Sequence, residues 1–297
     1  MTHIKILLLS LIFSLSAFAN ETELNNWLIE QVPEAKAYSS QGQAQNSAFN
    51  PKSIKALVWN IKKSEEDGWQ AEFLNYTRNR SLFLLQEVYQ TSHFQFTQNF
   101  FPQFRFDMTT GFKYKGTNTG VMNASIVRPS QIRFSHSVDT EPVVNTPKAN
   151  IFTKYPIKGM TEELLVISIH GINLTGFDTF KRHMQQIIRV IKEHQGPVLW
   201  AGDFNTRTKE RTEYLMQQTK ELGMTEVKFI NGDKRMAWIL TKNYLDHAFV
   251  RGLQVKHAEV IANSKGSDHK PMILDLFIPD ASERISNSPG HRQNLLD

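Results

Sequence analysis

Short apolar runs alternate with polar stops along the chain, and the length of each run separates strands from helices. Ile54 to Trp59 is rich in β-formers and ends at Asn60. Ser81 to Leu85, Gly120 to Val127, Leu164 to Ile169, Val198 to Ala201, Tyr244 to Val250 and Met272 to Ile278 read as further strands. Met236 to Leu240 reads as an ordinary strand too. Trp69, Phe73 and Tyr76 fall at helical spacing and predict an amphipathic helix over residues 68–79. Phe180, Met184, Ile187, Ile188 and Ile191 form one apolar stripe. They predict a helix from Thr179 to His194, with Asp178 as N-cap and Gly196-Pro197 as the stop. Another helix is expected from Lys209 to Leu222, ending at Gly223.

The polar residues that close these runs carry the chemistry. In order they are Val58-Trp59-Asn60, Leu85-Gln86-Glu87, Ser168 to Asn173 (SIHGIN), Ala201 to Asn205 (AGDFN), Tyr244 to His247 (YLDH) and Gly266 to Pro271 (GSDHKP). Strand ends of this kind can converge at one edge of a sheet. Together they supply the acids Glu87, Asp203, Asp246 and Asp268, the amides Asn60 and Asn205, and the imidazoles of His170 and His269. That is an inventory for metal-assisted attack of water on a phosphate ester.

Taken singly, each signature has a plain structural meaning: a solvated strand end for Glu87, a turn for Gly202-Asp203, a satisfied histidine for His170. The reaction gives them a joint one. Anionic oxygens on a phosphodiester repel a nucleophile, and a divalent ion neutralises that charge. Mg²⁺ takes hard oxygen ligands, usually one or two carboxylates with phosphate and water. Glu87 suits the main ligand, Asn60 either adds an amide oxygen or holds Glu87, and Asp268 completes the site. If the backbone stays extended, Asp203 and Asn205 point to one side. Asp203 would then orient or deprotonate water, while the Asn205 amide binds a phosphate oxygen. His269 is open to two roles, a cation on the phosphate or a neutral proton acceptor.

At these six signatures the chain resembles the endonuclease/exonuclease/phosphatase superfamily, the DNase I-like proteins, over Ile54 to Pro279. The resemblance implies an α/β fold, a four-layered α/β sandwich of two packed mixed β-sheets flanked by helices. It pairs Asp246 with His269. It places His170 against phosphate or the leaving group, with Asn173 supporting His170 or lining the cleft. It also draws attention to Thr146 to Pro156, which carries Lys148 and Lys154. One position departs from some nuclease branches: Lys62 stands where they place an acid, which favours a single metal ion.

Composition sets the remaining bounds. The chain has 297 residues, a formal net charge of +5 and no cysteine. A mildly basic balance suits phosphate-bearing partners, and a metal site without thiols must use oxygen and nitrogen ligands. Mg²⁺ or Mn²⁺ is expected, with Ca²⁺ as a further option. Lys5, the apolar Ile6 to Leu15 and the Ala17-Phe18-Ala19 step make residues 1–19 a cleavable signal peptide, and imply export to a periplasm or beyond the cell. Residues 20–50 read as a polar leader with a short helix around Trp27 to Glu30, residues 51–280 as the catalytic domain, and residues 281–297 as a polar tail. The Gly111 to Gly116 stretch (GFKYKG) mixes basic and aromatic residues, so Lys113, Lys115 and also Arg207 are substrate-binding candidates. The expected function is that of a monomeric exported nuclease acting on DNA or RNA. A sphingomyelinase-like phospholipid phosphodiesterase, a small phosphate-ester phosphatase and a non-catalytic binding protein are the alternatives.

Overall fold

In a computed structural model of the chain, residues 28–280 are described, apart from Val143 and Asn231. The expected signal peptide and polar tail lie outside these residues. The first sheet contains β1 (Ile29–Gln31), β2 (Tyr38–Gly42), β3 (Ile54–Asn60), β4 (Leu82–Tyr89), β5 (Arg105–Tyr114), β6 (Thr117–Ser125), β13 (Gln254–Val260) and β14 (Met272–Phe277). Its order is β1-β5-β6-β4-β3-β14-β13, with β2 also pairing β5. The second sheet contains β7 (Gln131–Thr140), β8 (Pro147–Pro156), β9 (Glu163–His170), β10 (Val198–Asp203), β11 (Thr225–Glu226) and β12 (Asp246–Arg251), in the order β11-β12-β10-β9-β8-β7. Both sheets are mixed: β3 runs parallel to β4 and β9 to β10, and their other pairings are antiparallel.

Strand parity builds the layers, because successive side chains face opposite sides of a sheet. Ala56, Val58, Leu82, Leu84, Leu164, Val166, Leu199 and Ala201 fill the core between the sheets. Their sequence neighbours face outward. Leu57, Trp59, Phe83 and Leu85 pack against Trp69 and Phe73 of helix α1 (Trp69–Tyr76) and Phe94 of α2 (Ser92–Gln98). Leu165, Ile167, Val198 and Trp200 pack against the apolar stripe of α3 (Phe177–Glu193) and Leu215 of α4 (Lys209–Glu221). The expected four-layered α/β sandwich is therefore what forms.

Three local expectations change. Residues 29–50 are not a separate leader: β1 and β2 extend the first sheet, and Ile29–Gln31 is strand, where a helix was expected. Trp27 lies outside the described residues. The polar character of this stretch belongs to edge strands, which blunt an exposed edge with hydrophilic side chains. Tyr38 ties it down, donating to the buried Asp107 at 2.7 Å and stacking on Phe134. At α3 the N-cap is Gly176, and Asp178 sits inside the first turn, where its charge still suits the helix dipole. Met236 to Leu240 is not a strand: it forms a single bridge, Ala237 to Tyr244, and then a turn.

Candidate active site

The parity that fills the core also aims the site. Continuing the inward positions gives Asn60 on β3, Gln86 on β4, His170 on β9, Asp203 on β10 and Asp246 on β12. Register aligns them, since Asn60 lies opposite Gln86, and Asp203 opposite both His170 and Asp246. At this end the space between the sheets turns polar. Gln86 is fully buried and bonds the Ser168 hydroxyl at 2.8 Å, fastening one sheet to the other beneath the site.

Glu87 needs a different device. The β4–β6 register shifts between Leu85 and Val88, and Glu87 takes φ 52°. This bulge re-aims its side chain into the cleft. Asn60 Nδ2 donates to Glu87 Oε1 at 3.3 Å and to Asp203 Oδ2 at 3.1 Å, so its amide nitrogen holds the two acids together. Of the two roles open to Asn60, this is the holding one.

Asp203 Oδ2 is the convergence point. It lies 3.6 Å from His170 Nε2 and 3.8 Å from His269 Nε2, besides the Asn60 bond. His269 Nδ1 bonds Asp246 at 2.8 Å. Burial alone would discharge His269, but Asp246 and Asp203 override it and raise its pKa, so the imidazole is cationic at neutral pH. Burial pushes the Asp203 carboxyl up, against the pull of His269 and with the help of Asp246 and Glu87. His170 goes the other way. Burial and the Lys148 ammonium, 3.3 Å from its Nε2, hold it neutral. Burial would also raise Glu87, but the Lys63 and Lys148 ammoniums hold it well below the usual carboxylate range.

Asn205 departs from expectation. It has φ 54°, so the chain is not extended here. Asp203 Oδ1 accepts the Asn205 N–H at 2.9 Å, and the Asn205 amide donates to Gly171 O at 2.9 Å. Asn205 thus locks the β9 and β10 ends together. Gly202 shows how close that packing is: it has φ 139°, and a Cβ there would lie 2.3 Å from Ile169 O. Gly202→Ala is expected to cost about 2–3 kcal/mol, measurable as a lower urea midpoint. A midpoint equal to wild type would show that the two strands can part.

The other candidates scatter. Asp268 is exposed and accepts the Ser267 hydroxyl at 3.3 Å; its charge reaches Lys62, Lys63 and His269. Asn173 accepts the Leu174 N–H and donates its own N–H to Glu141 at 2.8 Å, so it touches the site only through Glu141 and Lys148. Lys113 pairs with Glu30 at 2.7 Å, and Lys115 lies over the Tyr114 ring. Both belong to the tip of the β5–β6 hairpin, and among the described residues neither lines the cleft. Arg207 stacks on Trp238 at 3.9 Å, within reach of the Asp203 and Glu141 charges. Lys154 stands at the far end of β8 from Lys148, roughly 20 Å away at strand rise.

A cavity of about 210 Å³ opens beside this cluster, lined by Lys63, Glu87, Phe112, Glu141, Lys148 and His170 among others. Lys63 and Glu141 lie in none of the six signatures. Lys63 Nζ sits 3.0 Å from Glu87, and Glu141 pairs with Lys148 at 3.3 Å. Lys63 is delivered by an unusual turn: Lys62, Lys63 and Ser64 all have positive φ, at 44°, 58° and 61°. For residues with a Cβ each left-handed position costs about 1–2 kcal/mol.

The profile of the Endonuclease/Exonuclease/phosphatase family matches residues 57–269. The chain belongs to this family. A UPF0294 protein of Vibrio campbellii is 34% identical over 230 residues, covering 76% of this chain and 78% of its own length. Among solved structures, an endonuclease/exonuclease/phosphatase family protein from Leptotrichia buccalis superposes with TM-score 0.57 at 18% identity, covering 74% of this chain and 98% of that one. The human Nocturnin catalytic domain, solved with a bound sulfate anion, gives 0.56 at 12% identity over 84% of this chain and all of that one.

Members of the endonuclease/exonuclease/phosphatase family are phosphoester hydrolases and typically use a divalent metal ion. Two groups here offer ligand atoms. Asp203, Asp246 and His269 place three within 4.8 Å of one another. In that group His269 already commits Nδ1 to Asp246. Glu87, supported by Asn60, presents hard oxygens to the cleft and already holds the ammonium of Lys63. A hard divalent ion fits there.

Proposed function

We propose that the protein is a metal-dependent phosphodiesterase, exported by its N-terminal segment, with nucleic acid as substrate. The observation that carries the reading is the convergence on Asp203 Oδ2 of Asn60, His170 and His269. An Mg²⁺ or Mn²⁺ ion held by Glu87 would neutralise charge on the phosphate and on the departing oxygen. The chain's own groups do the rest. Asp203, its affinity for a proton raised by burial, takes a proton from the attacking water. The water oxygen bonds to phosphorus as the bond to the leaving oxygen breaks. His269, already protonated and fixed by Asp246, cannot accept that proton and instead stabilises the anionic phosphate. His170 and Lys148 stand on the cleft side, positioned for the phosphate and its leaving group.

Cleavage of plasmid DNA by the mature protein, with Mg²⁺, Mn²⁺ or EDTA, tests the substrate. Nicking that needs metal and is lost in Glu87→Ala is the expected result. Intact plasmid in every metal would remove duplex DNA as the substrate.

A second reading has one observation in its favour. The turn after Trp238 exposes Ile239 and Leu240, at 52% and 82%, on a segment fastened to Arg207 through Thr241 and Asn243. An apolar tip beside the cleft suits a phospholipid surface. Partition of the protein to phosphatidylcholine–sphingomyelin vesicles, and release of the headgroup phosphate, distinguish this substrate from DNA.

A further inference from the structure

The Glu87 carboxylate already has a cation on it, and that cation comes from outside the six sequence signatures. Lys63 Nζ lies 3.0 Å from Oε2, while Asn60 holds Oε1. The pair is sheltered, with about a quarter of each side chain exposed. Asp268, the other acid expected at a metal, also acts by charge on Lys63. The ammonium therefore sits on the carboxylate that a hard divalent ion would use.

The turn that brings it there is held in an unfavourable arrangement. Three consecutive residues, Lys62 to Ser64, are left-handed, and the Ser64 hydroxyl is buried with no hydrogen-bond partner among the described residues. The turn keeps some support of its own, as Asn60 Oδ1 accepts the Lys62 N–H and Ile61 O accepts the Ser64 N–H. What these bonds do not explain is the aim of Lys63, and Glu87 does. Strain of this kind persists where the surroundings over-determine it, and it collects at functional sites.

A divalent ion and an ammonium compete for one carboxylate in a sheltered cleft, because the two cations repel each other there. Lys63 also lines the same cavity as Lys148 and His170. Once displaced from Glu87, it would stay within that cavity, where a bound phosphate is an anion for it to meet.

We propose that Lys63 is a tethered, exchangeable cation. Its ammonium occupies the divalent-ion position at Glu87 until the ion arrives, and then turns to the substrate phosphate. This inference rests on the assignment of the metal to Glu87 under the proposed function. It adds a phosphate-contacting residue, and it predicts that the substrate-free protein binds metal weakly by design.

The test is metal binding rather than turnover. Mn²⁺ affinity of the full chain without substrate is measured by calorimetry and electron paramagnetic resonance, for wild type, Lys63→Met and Glu87→Gln. Lys63→Met is expected to bind Mn²⁺ at least about tenfold more tightly. With Mn²⁺ saturating, the same variant is expected to bind inorganic phosphate at least about fivefold more weakly, since one phosphate cation is gone. Glu87→Gln is expected to lose the Mn²⁺ site. Unchanged Mn²⁺ affinity in Lys63→Met, together with loss in Glu87→Gln, overturns the exchange and leaves the metal assignment standing. Wild-type affinity in both variants overturns the metal assignment and the exchange with it. Tighter Mn²⁺ with unchanged phosphate affinity overturns the phosphate contact. Circular dichroism of each variant establishes that the fold is retained.

Discussion

Asp203→Asn is expected to lower kcat about 10²–10⁴-fold while making the protein more stable at alkaline pH. The two effects share one cause. Asp203 is 2% exposed, and burial raises its pKa above the unfolded value. A group raised in this way favours the fold most below its unfolded pKa, and that contribution is lost as pH rises through the folded pKa. At pH 8 the ionised carboxylate therefore weighs against the fold, and an Asn at this position is free of that penalty. Asn also deprives His269 of a counter-charge, which offsets part of the gain. A net difference of about 1–2 kcal/mol at pH 8, shrinking toward pH 5, is expected. Urea melts of both proteins at the two pH values measure it. Wild-type activity should in turn fall as pH drops through the raised Asp203 pKa, at a pH above the usual carboxylate range. If the Asn variant gains nothing between pH 5 and pH 8, Asp203 is not poised by burial and its role as base is lost.

Much of this candidate site is legible in the sequence, for a simple reason. Period-two patterning that buries Ala56 and Val58 also carries Asn60 inward, and the same parity delivers His170, Asp203 and Asp246. A strand whose core face is known announces where its terminal polar residue points. The features that escaped depend on broken parity or on tertiary approach. Glu87 faces the cleft because a bulge shifts it, and Asn205 turns away because it is left-handed. Nothing in Ile61-Lys62-Lys63-Ser64 signals three left-handed residues, none of them glycine. Glu141 meets Lys148 because β7 and β8 pair as a hairpin, with Thr140 opposite Pro147. Lys113 and Lys115 looked like phosphate ligands by composition, yet a hairpin tip far enough along its strands finds local partners instead. The edge strands β1 and β2 were hidden by their polarity, which edge pairing tolerates and a buried strand would not.

His269→Ala is expected to cost about 10²–10³-fold in kcat, by removing a fixed cation from the developing charge. Asp246→Asn should cost less and should do so in a pH-dependent way. Asp246 touches only the far nitrogen of the ring, so it acts by positioning His269 and by holding its proton. An Asn can still accept from Nδ1–H, which preserves the orientation, but it brings no charge. The His269 pKa, raised in the folded protein, then falls toward its ordinary value, although Asp203 still supports it. Protonated His269 is the active form, so activity is lost as pH rises through that pKa. In wild type this alkaline limb should lie well above neutral, and in Asp246→Asn it should move down toward neutral. Near pH 6 the variant should approach wild-type turnover, while His269→Ala stays low at every pH. Rate profiles from pH 5 to 10, with the ring titration followed by NMR in the same samples, separate the roles. A uniform loss in Asp246→Asn, with no displacement of the limb, would show that the carboxylate only orients the ring. Activity that instead rises with pH through the His269 pKa, with that acid limb moving down in Asp246→Asn, would show that neutral His269 is the working form, and would return the base role to the imidazole.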